Sequence, residues 1–450
     1  MSRFFMPLSS RGILMRTPAL ILPPEPVPPI DEVLIPADVI VTNPAQLTAA
    51  LSAAPSNLGR TYRIGMIGGA YAGFTMAQNY NKGSTRVQIR SEDRFNPAKF
   101  TNFRARGAQN FEFTRFEIES TTLDDFGFPW RGPDANTGLD AQSSRNILVR
   151  NIRIVGFQFG ANFTDLRNST IEYVEALGYG VDGFRFFALS AGQLVENILV
   201  RCCRIMPIHP TLIMPQLSGQ IGYDPGRNVT IDPRRSDQKP GDEYVLNLAG
   251  EQVFIKGTGT VANGNVKAGR HPDGNQTGGN CRNLVFEDIH IRTANLYSHG
   301  MFNEGTVAAQ DDPNVKFDPM AGFVFRRCLI ESAHVHGIGL FRMQNPRIEN
   351  CIIRTLNPRN WPNYWINPTQ LGDLGFSVPS LSNRDIGSGS KAIVDGLILP
   401  AAAVEGTYWT RPENMDVTGS IIYSDTATHA GWSSSAVGQN KIGPYGMLAA

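Results

Sequence analysis

Residues 146–154 read NILVRNIRI and residues 197–205 read NILVRCCRI, and this nine-residue pattern recurs along the chain. It consists of Asn, apolar, any, apolar, two of any, apolar, any, apolar. Other copies, some with substitutions, are NFEFTRFEI from Asn110, NSTIEYVEA from Asn168, NLVFEDIHI from Asn283, GFVFRRCLI from Gly322, NPRIENCII from Asn345 and NMDVTGSII from Asn414. Such self-similarity indicates stacked units, none of which buries its apolar face alone. The pattern predicts an all-β chain folded as a right-handed parallel β-helix.

Two positions of the repeat predict specific roles for their side chains. The Asn that opens each strand can stack on the Asn of the next coil, or hydrogen-bond its own backbone in a left-handed turn. The seventh position holds side chains that suit the inside of a narrow, dry tube: Phe116, Ile152, Val174, Cys203, Ile289, Cys328, Cys351 and Ser420. Three of the five cysteines share this inward column, so we expect buried free thiols and neither disulfides nor a Cys/His metal site.

Composition and charge narrow the class of protein. The chain has 450 residues, 41% of them apolar, and its 45 Gly and 30 Pro favour many short turns over long helices. A formal net charge of +1 gives no electrostatic argument for binding nucleic acid or a membrane surface. Arg11 and Arg16 interrupt the apolar residues near the N-terminus, so the sequence predicts neither a signal peptide nor a membrane span.

The chain divides into three parts. Residues 1–40 are rich in proline and predict an extended arm that docks into an assembly, with a disordered tail as the alternative. Residues 41–360 hold the β-helix, opened by a short cap helix with Asn43 as N-cap and Pro44 as its first residue. Residues 361–450 lose the period until NMDVTGSII, which predicts a C-terminal cap and last coil, or an oligomerisation region.

A second short strand in each coil begins at a glycine, namely Gly183, Gly274, Gly300 and Gly337. The residues directly before these glycines are Asp182, Asp273, His299 and His336. We expect these four to form a ladder on an outer edge of the tube, with coils about 4.8 Å apart. Two residues after the glycine, Arg185 and Gln276 should point outward, with Phe302 and Gly339 in the same column. Ordinary turn capping is the alternative role for the four residues.

The stretch from Val41 to about Pro358 resembles the pectate-lyase-like β-helix proteins. Its cap helix is followed by the strands TYRIGMIGGAYAGF from Thr61 and TRVQIRSED from Thr85. Two further segments, GRHPDGNQ from Gly269 and ESAHVHGIGL from Glu331, are similar to motifs of right-handed β-helix repeat proteins known mainly from alphaproteobacteria and their phages.

That resemblance puts His271 and Asp273 on the first motif and His334 and His336 on the second, and it implies no defined reaction. It departs at Asn275, where the family tends to have an apolar residue. We therefore expect the strand after the HPDG turn to be less well buried.

Polysaccharide-cleaving β-helices use either a pair of carboxyl groups, as hydrolases do, or a base with a cation, as lyases do. Asp182 and Asp273 with Glu304 could supply the first arrangement. The second could come from Arg185 with one of His271, His299 and His336. Gln276, His334 and Trp130 are further candidates for contact with the sugar.

Long interruptions of the repeat predict loops and extra coils. Trp130 lies in a loop between the Asn110 and Asn146 repeats, and residues 207–270 are expected to hold additional coils with an excursion. Asp311, Asp312 and Asp318 with Glu304 could hold a calcium ion, but without the ligand spacing of a calcium loop an acidic, solvated loop is favoured, so we expect no metal and no cofactor.

These features predict a polysaccharide-binding spike or fibre subunit of a phage or phage-like particle, similar to tailspikes. We expect a homotrimer that contacts other virion proteins through the arm and recognises a host surface glycan. Whether the sugar is also cleaved stays open. The alternatives are a free, secreted bacterial polysaccharide lyase or glycoside hydrolase, and a purely structural solenoid.

Overall fold

The computed structural model describes most of residues 35–355 and several short pieces beyond. The continuous ranges are 35–76, 80–121, 137–179, 182–206, 273–292, 300–305, 308–309, 312, 314–332 and 337–355. The short pieces are 243–246, 252–255, 261–262, 265–266, 391–394, 397–400, 414, 416–418, 420–423 and 441–443. Within these ranges, no helix is long and apolar enough to cross a membrane.

One helix and thirty-six strands make up the described chain. The first part contains β1 Val39–Val41, α1 Pro44–Ala53, β2 Tyr62–Met66, β3 Gly69–Tyr71, β4 Phe74–Thr75, β5 Val87–Ser91, β6 Ala98–Phe100, β7 Phe103–Arg106, β8 Phe111–Thr114, β9 Glu117–Glu119, β10 Thr137–Gln142, β11 Leu148–Val155, β12 Phe159–Thr164, β13 Arg167–Leu177, β14 Asp182–Ala188, β15 Val195–Arg201 and β16 Arg204–Met206. The second part contains β17 Glu243–Leu246, β18 Gln252–Ile255, β19 Val261–Ala262, β20 Asn265–Val266, β21 Asp273–Gly279, β22 Cys281–Glu287, β23 His290–Arg292, β24 Met301–Glu304, β25 Met320–Ala321, β26 Val324–Arg326, β27 Leu329–Ser332, β28 Ile338–Phe341, β29 Met343–Gln344, β30 Arg347–Glu349, β31 Ile352–Thr355, β32 Lys391–Val394, β33 Leu397–Pro400, β34 Asp416–Thr418, β35 Ile421–Tyr423 and β36 Lys441–Gly443.

The strands form two long sheets that wrap a single apolar core. Sheet 1 has ten strands in the order β4-β7-β10-β12-β14-β21-β24-β28-β33-β32, and sheet 2 has twenty-two. Pairing between stacked coils is parallel, as in β11 with β13 and β15 with β22, whereas β32 and β33 at the end of sheet 1 form an antiparallel pair. A full coil gives one strand to sheet 1 and then two to sheet 2. The chain is thus a right-handed parallel β-helix, and the predicted fold class is confirmed.

Helix α1 begins where the sequence places it. The Asn43 side chain accepts a hydrogen bond from the Gln46 backbone N–H at 2.9 Å, and Pro44 is the first helical residue. Leu47 and Leu51 are buried where the helix packs on β1 and β2. The helix therefore covers the apolar end of the tube, and the predicted cap is confirmed.

The repeated asparagines perform both predicted roles at once. Their φ angles lie between 50° and 62°, in the left-handed region. Their amides also bond from coil to coil: Asn197 donates to Asn168 at 2.9 Å, and Asn283 donates to Asn197 at 3.1 Å. Gly322 replaces Asn in one coil and keeps the left-handed angle, at 69°. The turn geometry thus persists where the amide contact is missing.

The inward column is buried as the sequence predicts. All eight of its residues are at most 2% exposed. The Cys328 thiol donates to the carbonyl groups of Phe286 and Arg326 at 3.4 Å, and the Cys328 N–H donates to Cys351 Sγ. Every cysteine is free, and burial raises the pKa of the Cys328 thiol well above its ordinary value. These thiols are packing groups that also satisfy buried backbone polar atoms.

The structure corrects the expectation of extra coils between residues 207 and 270. Strand β14 pairs directly with β21, and β15 pairs directly with β22. The coils on either side of the insertion are therefore stacked on one another. Within it, β17 and β18 form an antiparallel pair. The segment adds no coil to the tube.

The two longest segments between strands of the tube both connect the end of sheet 2 to the start of sheet 1. They run from β16 to β21 and from β31 to β32, whereas a shorter segment, from β24 to β25, connects sheet 1 to sheet 2 at another corner. The corner where sheet 2 ends and sheet 1 begins therefore combines the two longest insertions with the first residues of the sheet 1 strands.

Candidate functional site

A column of glycines turns the chain at this corner. Its members, in register on neighbouring sheet 1 strands, are Gly138, Gly160, Gly183, Gly274, Gly300 and Gly337. A Cβ atom on Gly183 would overlap Ile205 Cγ2 and lie 2.6 Å from the Gly274 carbonyl oxygen. Only glycine allows the two sheets to approach this closely. Four of the six glycines were recognised from the sequence, because only they follow Asp or His.

Asp182 and Asp273 lie side by side at the corner, paired in register as the sequence predicts. Their depth differs from the prediction. Both were expected to project to solvent, but Asp182 is 0% exposed and Asp273 is 1% exposed. The register follows from the repeat, whereas burial depends on what covers the corner.

The other predicted site residues divide into two groups. His271, His299, His334, His336 and Trp130 lie outside the described residues. Glu304 ends β24 in register with Gly278, at the opposite end of the sheet 1 strands from Asp273. The structure therefore does not bring the Glu304 position next to the pair of aspartates.

Asp182 is a buried acid with unusual surroundings. Neither of its side-chain oxygens accepts a hydrogen bond, and Oδ2 lies 3.2 Å from Arg185 Nε without hydrogen-bond alignment. Burial raises the pKa of Asp182 well above its ordinary value; Arg185 opposes this shift and the charge of Asp273 adds to it. A raised pKa favours the neutral acid, which is a proton donor.

Arg185 is held flat over the corner by two phenyl rings. Its guanidinium carbon lies 4.2 Å from the ring centroids of both Phe159 and Phe187. The side chain is 25% exposed, so it forms part of the outer surface of sheet 1. Cation–π contact with two rings restricts the guanidinium group, whose N–H donors can still bind a ligand at the surface.

Arg185 belongs to a row of outward side chains with one member per coil. This outer row consists of Arg104, Asp140, Asn162, Arg185, Gln276 and Phe302. The predicted placement of Arg185, Gln276, Phe302 and Gly339 in one column is confirmed. The row runs parallel to the tube axis, with a spacing of about 4.8 Å per coil.

The sequence interpretation missed the first three members of the row. Asp140 and Asn162 follow Gly138 and Gly160 by two residues, the spacing that separates Arg185 from Gly183. That spacing was the available signal. Asp140 accepts hydrogen bonds from Gln142 Nε2 at 2.9 Å and from Asn162 Nδ2 at 2.9 Å. A polar network thus occupies the outer face two coils before Arg185.

Asn275 corrects another expectation. Its strand was expected to be less well buried, yet Asn275 is 0% exposed inside the tube. Its amide donates to Thr277 Oγ1 at 3.1 Å, while its own oxygen accepts no hydrogen bond. The Asn275 amide is therefore bonded to the buried Thr277 and not to solvent.

The donor groups of the described chain do not converge on a metal ion. The described ranges contain no cluster of three or more His, Cys, Asp or Glu side chains with suitable spacing. Asp312 and Asp318 belong to these ranges, whereas Asp311 does not. The polar groups described at the corner are the carboxyl groups of Asp182 and Asp273 and the guanidinium group of Arg185.

No protein-family model matches the sequence. Nor does any curated protein match it. Several solved structures are similar to this chain over much of its length, at low identity. An alginate lyase from Paenibacillus sp. is 12% identical and covers 86% of this chain and 88% of its own, with a TM-score of 0.39. The A-module of the Azotobacter vinelandii mannuronan C-5 epimerase AlgE6 is 10% identical and covers 90% and 89%, with a TM-score of 0.42.

A viral protein is among these neighbours. ORF18 of Geobacillus virus E2 is 11% identical and covers 70% of this chain and 55% of its own, with a TM-score of 0.31. All three TM-scores are below 0.5, so the fold assignment rests on the parallel strand register of this chain itself.

Proposed function

We propose that this chain is a polysaccharide-binding spike or fibre subunit of a phage or phage-like particle, and that the glycan lies along the outer row of sheet 1. The observation that carries the proposal is the row itself. It presents one hydrogen-bonding side chain per coil at Asn162, Arg185 and Gln276, with the buried Asp140 bonded to Asn162 beside them. A spacing of about 4.8 Å is close to the length of one sugar residue in an extended chain. Phe302 and the rings that clamp Arg185 add apolar faces on which a sugar can stack.

Binding without cleavage is favoured by the depth of the aspartates. Asp182 is 0% exposed and Asp273 is 1% exposed, so neither carboxyl group reaches a glycan on the outer row. Arg185, whose Nε lies 3.2 Å from Asp182 Oδ2, stands between the pair and the surface. The proposed role of the pair is to support Arg185 from below.

A glycoside hydrolase is the second candidate, and the raised pKa of Asp182 favours it. A neutral acid beside a second carboxyl group is the arrangement that glycosidic bond hydrolysis requires. Asp182 would protonate the leaving oxygen, and Asp273 would act as base or nucleophile. This candidate requires an arrangement of the corner in which both carboxyl groups reach the substrate.

The assembly part of the proposal is a homotrimer attached to the particle by the N-terminal arm. Its support is sequence alone: the proline-rich residues before Ile35 lie outside the described residues. The proposed arm would end before Asp38, which pairs with Arg60 at 2.6 Å, and before β1, which pairs with β2.

Replacing Arg185 tests glycan binding. We expect Arg185→Ala to weaken binding of surface polysaccharide roughly tenfold or more, because charge-assisted hydrogen bonds contribute about 1.5–3 kcal/mol. Arg185→Lys should recover only part of this, since it keeps the charge but lacks the planar donors. Isothermal titration against capsule and lipopolysaccharide fragments measures both effects.

Arg282→Ala is the matched control, because Arg282 pairs with Glu196 on sheet 2, away from the outer row. Equal losses for Arg185→Ala and Arg282→Ala would contradict the placement of the glycan. Reducing ends appearing in the same incubations, and lost in Asp182→Asn, would establish the hydrolase instead.

Deleting residues 1–34 tests the arm. We expect an unchanged melting temperature, because the Asp38–Arg60 ion pair and strand β1 are retained. The shortened chain should bind glycan normally but fail to join the particle. Complementation of particles that lack this protein, followed by counting of incorporated spikes, measures the loss. Normal incorporation would refute docking through the arm.

A further inference from the structure

The start of the outer row contains an arginine without a partner. The Arg104 side chain makes no hydrogen bond or ion pair with any described residue, and its Nε is buried from solvent. Arg106, two residues later on the same face of β7, also has a buried Nε with no hydrogen-bond partner. Its nearest charge is Asp140, with 3.8 Å between Nη2 and Oδ2. Two guanidinium groups therefore share this surface with little compensation.

Asp140 is the natural partner of Arg104, because the two are directly paired in register on β10 and β7. It does not serve as one. Gln142 donates to both oxygens of Asp140, at 3.0 and 2.9 Å, and Asn162 donates to Oδ1 at 2.9 Å. These two amides hold the carboxylate away from Arg104.

Arginines on sheet 2 show what compensation looks like in this fold. Arg201 bonds Glu172 on the neighbouring coil at 2.7 Å, and Arg326 bonds Glu349 at 2.7 Å. Arg104 and Asp140 occupy equivalent positions on neighbouring coils, but no ion pair forms between them. A half-buried guanidinium with unused donors is a site that an external anion would complete.

We propose that Arg104 and Arg106 form an anion subsite for the polysaccharide, binding a carboxylate, sulfate or phosphate group carried by one of its sugars. This inference rests on the proposed glycan site and names the class of glycan, namely an acidic one. Guanidinium donors suit these groups because they present parallel N–H bonds to two oxygens. Arg104 lies three coils from Arg185, roughly 14 Å along the axis. A bound chain must therefore span several sugars to reach both.

The test compares an acidic oligosaccharide with the same chain after its carboxyl groups have been reduced to alcohols. We expect the full chain to bind the acidic form at least about tenfold more tightly. Arg104→Gln should remove most of that preference, weakening the binding of the acidic chain much more than the binding of the reduced chain. Arg145→Gln is the matched control: it removes the same charge from an exposed side chain at another corner, so the preference should persist.

Equal binding of the acidic and reduced chains, unaffected by Arg104→Gln, would overturn the subsite and leave the proposed glycan site standing. If neither oligosaccharide binds, selenate soaked into crystals still decides the matter. Anomalous density at Arg104 that is absent in Arg104→Gln would support the anion subsite, even though the proposed function had failed. Selenate bound only elsewhere would overturn it.

Discussion

Cys328→Asp should yield no soluble, folded protein. Cys328 is 0% exposed in the inward column, between Ile289 and Cys351 on the neighbouring coils. A carboxylate there has no cation to pair with among its column neighbours, and an uncompensated buried charge costs several kcal/mol. Such a loss is a large fraction of the stability of a typical domain. Expression, solubility and circular dichroism measure the result.

Cys328→Ser is the control, because the column already contains a serine. Ser420 accepts a hydrogen bond from the Cys351 N–H at 3.1 Å and donates to the carbonyl groups of Ile348 and Thr418. A serine at 328 can make the equivalent bonds to Phe286 and Arg326, so the loss should be about 1 kcal/mol. A soluble Cys328→Asp variant with the original melting behaviour would disprove the inward register.

Gly183→Ala should destabilise the corner by about 3 kcal/mol, the upper part of the usual range for overpacking a core. The added methyl group would overlap Ile205 Cγ2 on sheet 2 and lie 2.6 Å from the Gly274 carbonyl oxygen on the next coil. Neither neighbour can retreat easily, because one is a core side chain and the other is backbone. Chemical denaturation of the purified variant gives the change in free energy of unfolding.

Gly192→Ala separates this steric effect from the general cost of replacing a glycine. Gly192 has a φ of 78°, and nothing lies within 4 Å of a Cβ placed there. Its replacement should cost about 1 kcal/mol through backbone strain alone. Ile205→Ala should cost less in the Gly183→Ala background than alone, because it also removes the overlap with the added methyl group. Equal effects of Gly183→Ala and Gly192→Ala would show that the corner is not tightly packed.

The fold could be predicted from the sequence because its periodic signals are local. An asparagine followed by alternating apolar residues specifies a strand, a left-handed turn and an inward column within nine positions. The register of Asp182 with Asp273 and of Arg185 with Gln276 followed from the same reasoning, even across an insertion of more than sixty residues. The prediction of extra coils in residues 207–270 was wrong, because a strand-like composition does not reveal whether a strand joins the stack.

The candidate site could be predicted only in part. Sequence spacing gives the column in which a side chain lies, but not its depth, so Asp182 and Asp273 were expected at the surface and lie beneath it. Arg104 was missed for a different reason. Its importance comes from a pairing that does not form, since Gln142 and Asn162 engage Asp140. Such competition among donors depends on side-chain geometry rather than on composition.

The long insertion between β16 and β21 means that sequence changes can fall either in the insertion or in the stacked coils. An insertion between β16 and β21 leaves both sheets in register, because β14 still pairs with β21 and β15 still pairs with β22. The segment there can be lengthened, shortened or exchanged without altering the pairing of the stacked coils. A chain built this way can change in the inserted segment while its stacked coils stay the same. The same arrangement lets a protein engineer replace the segment between β16 and β21 while keeping the pairing of the strands on either side.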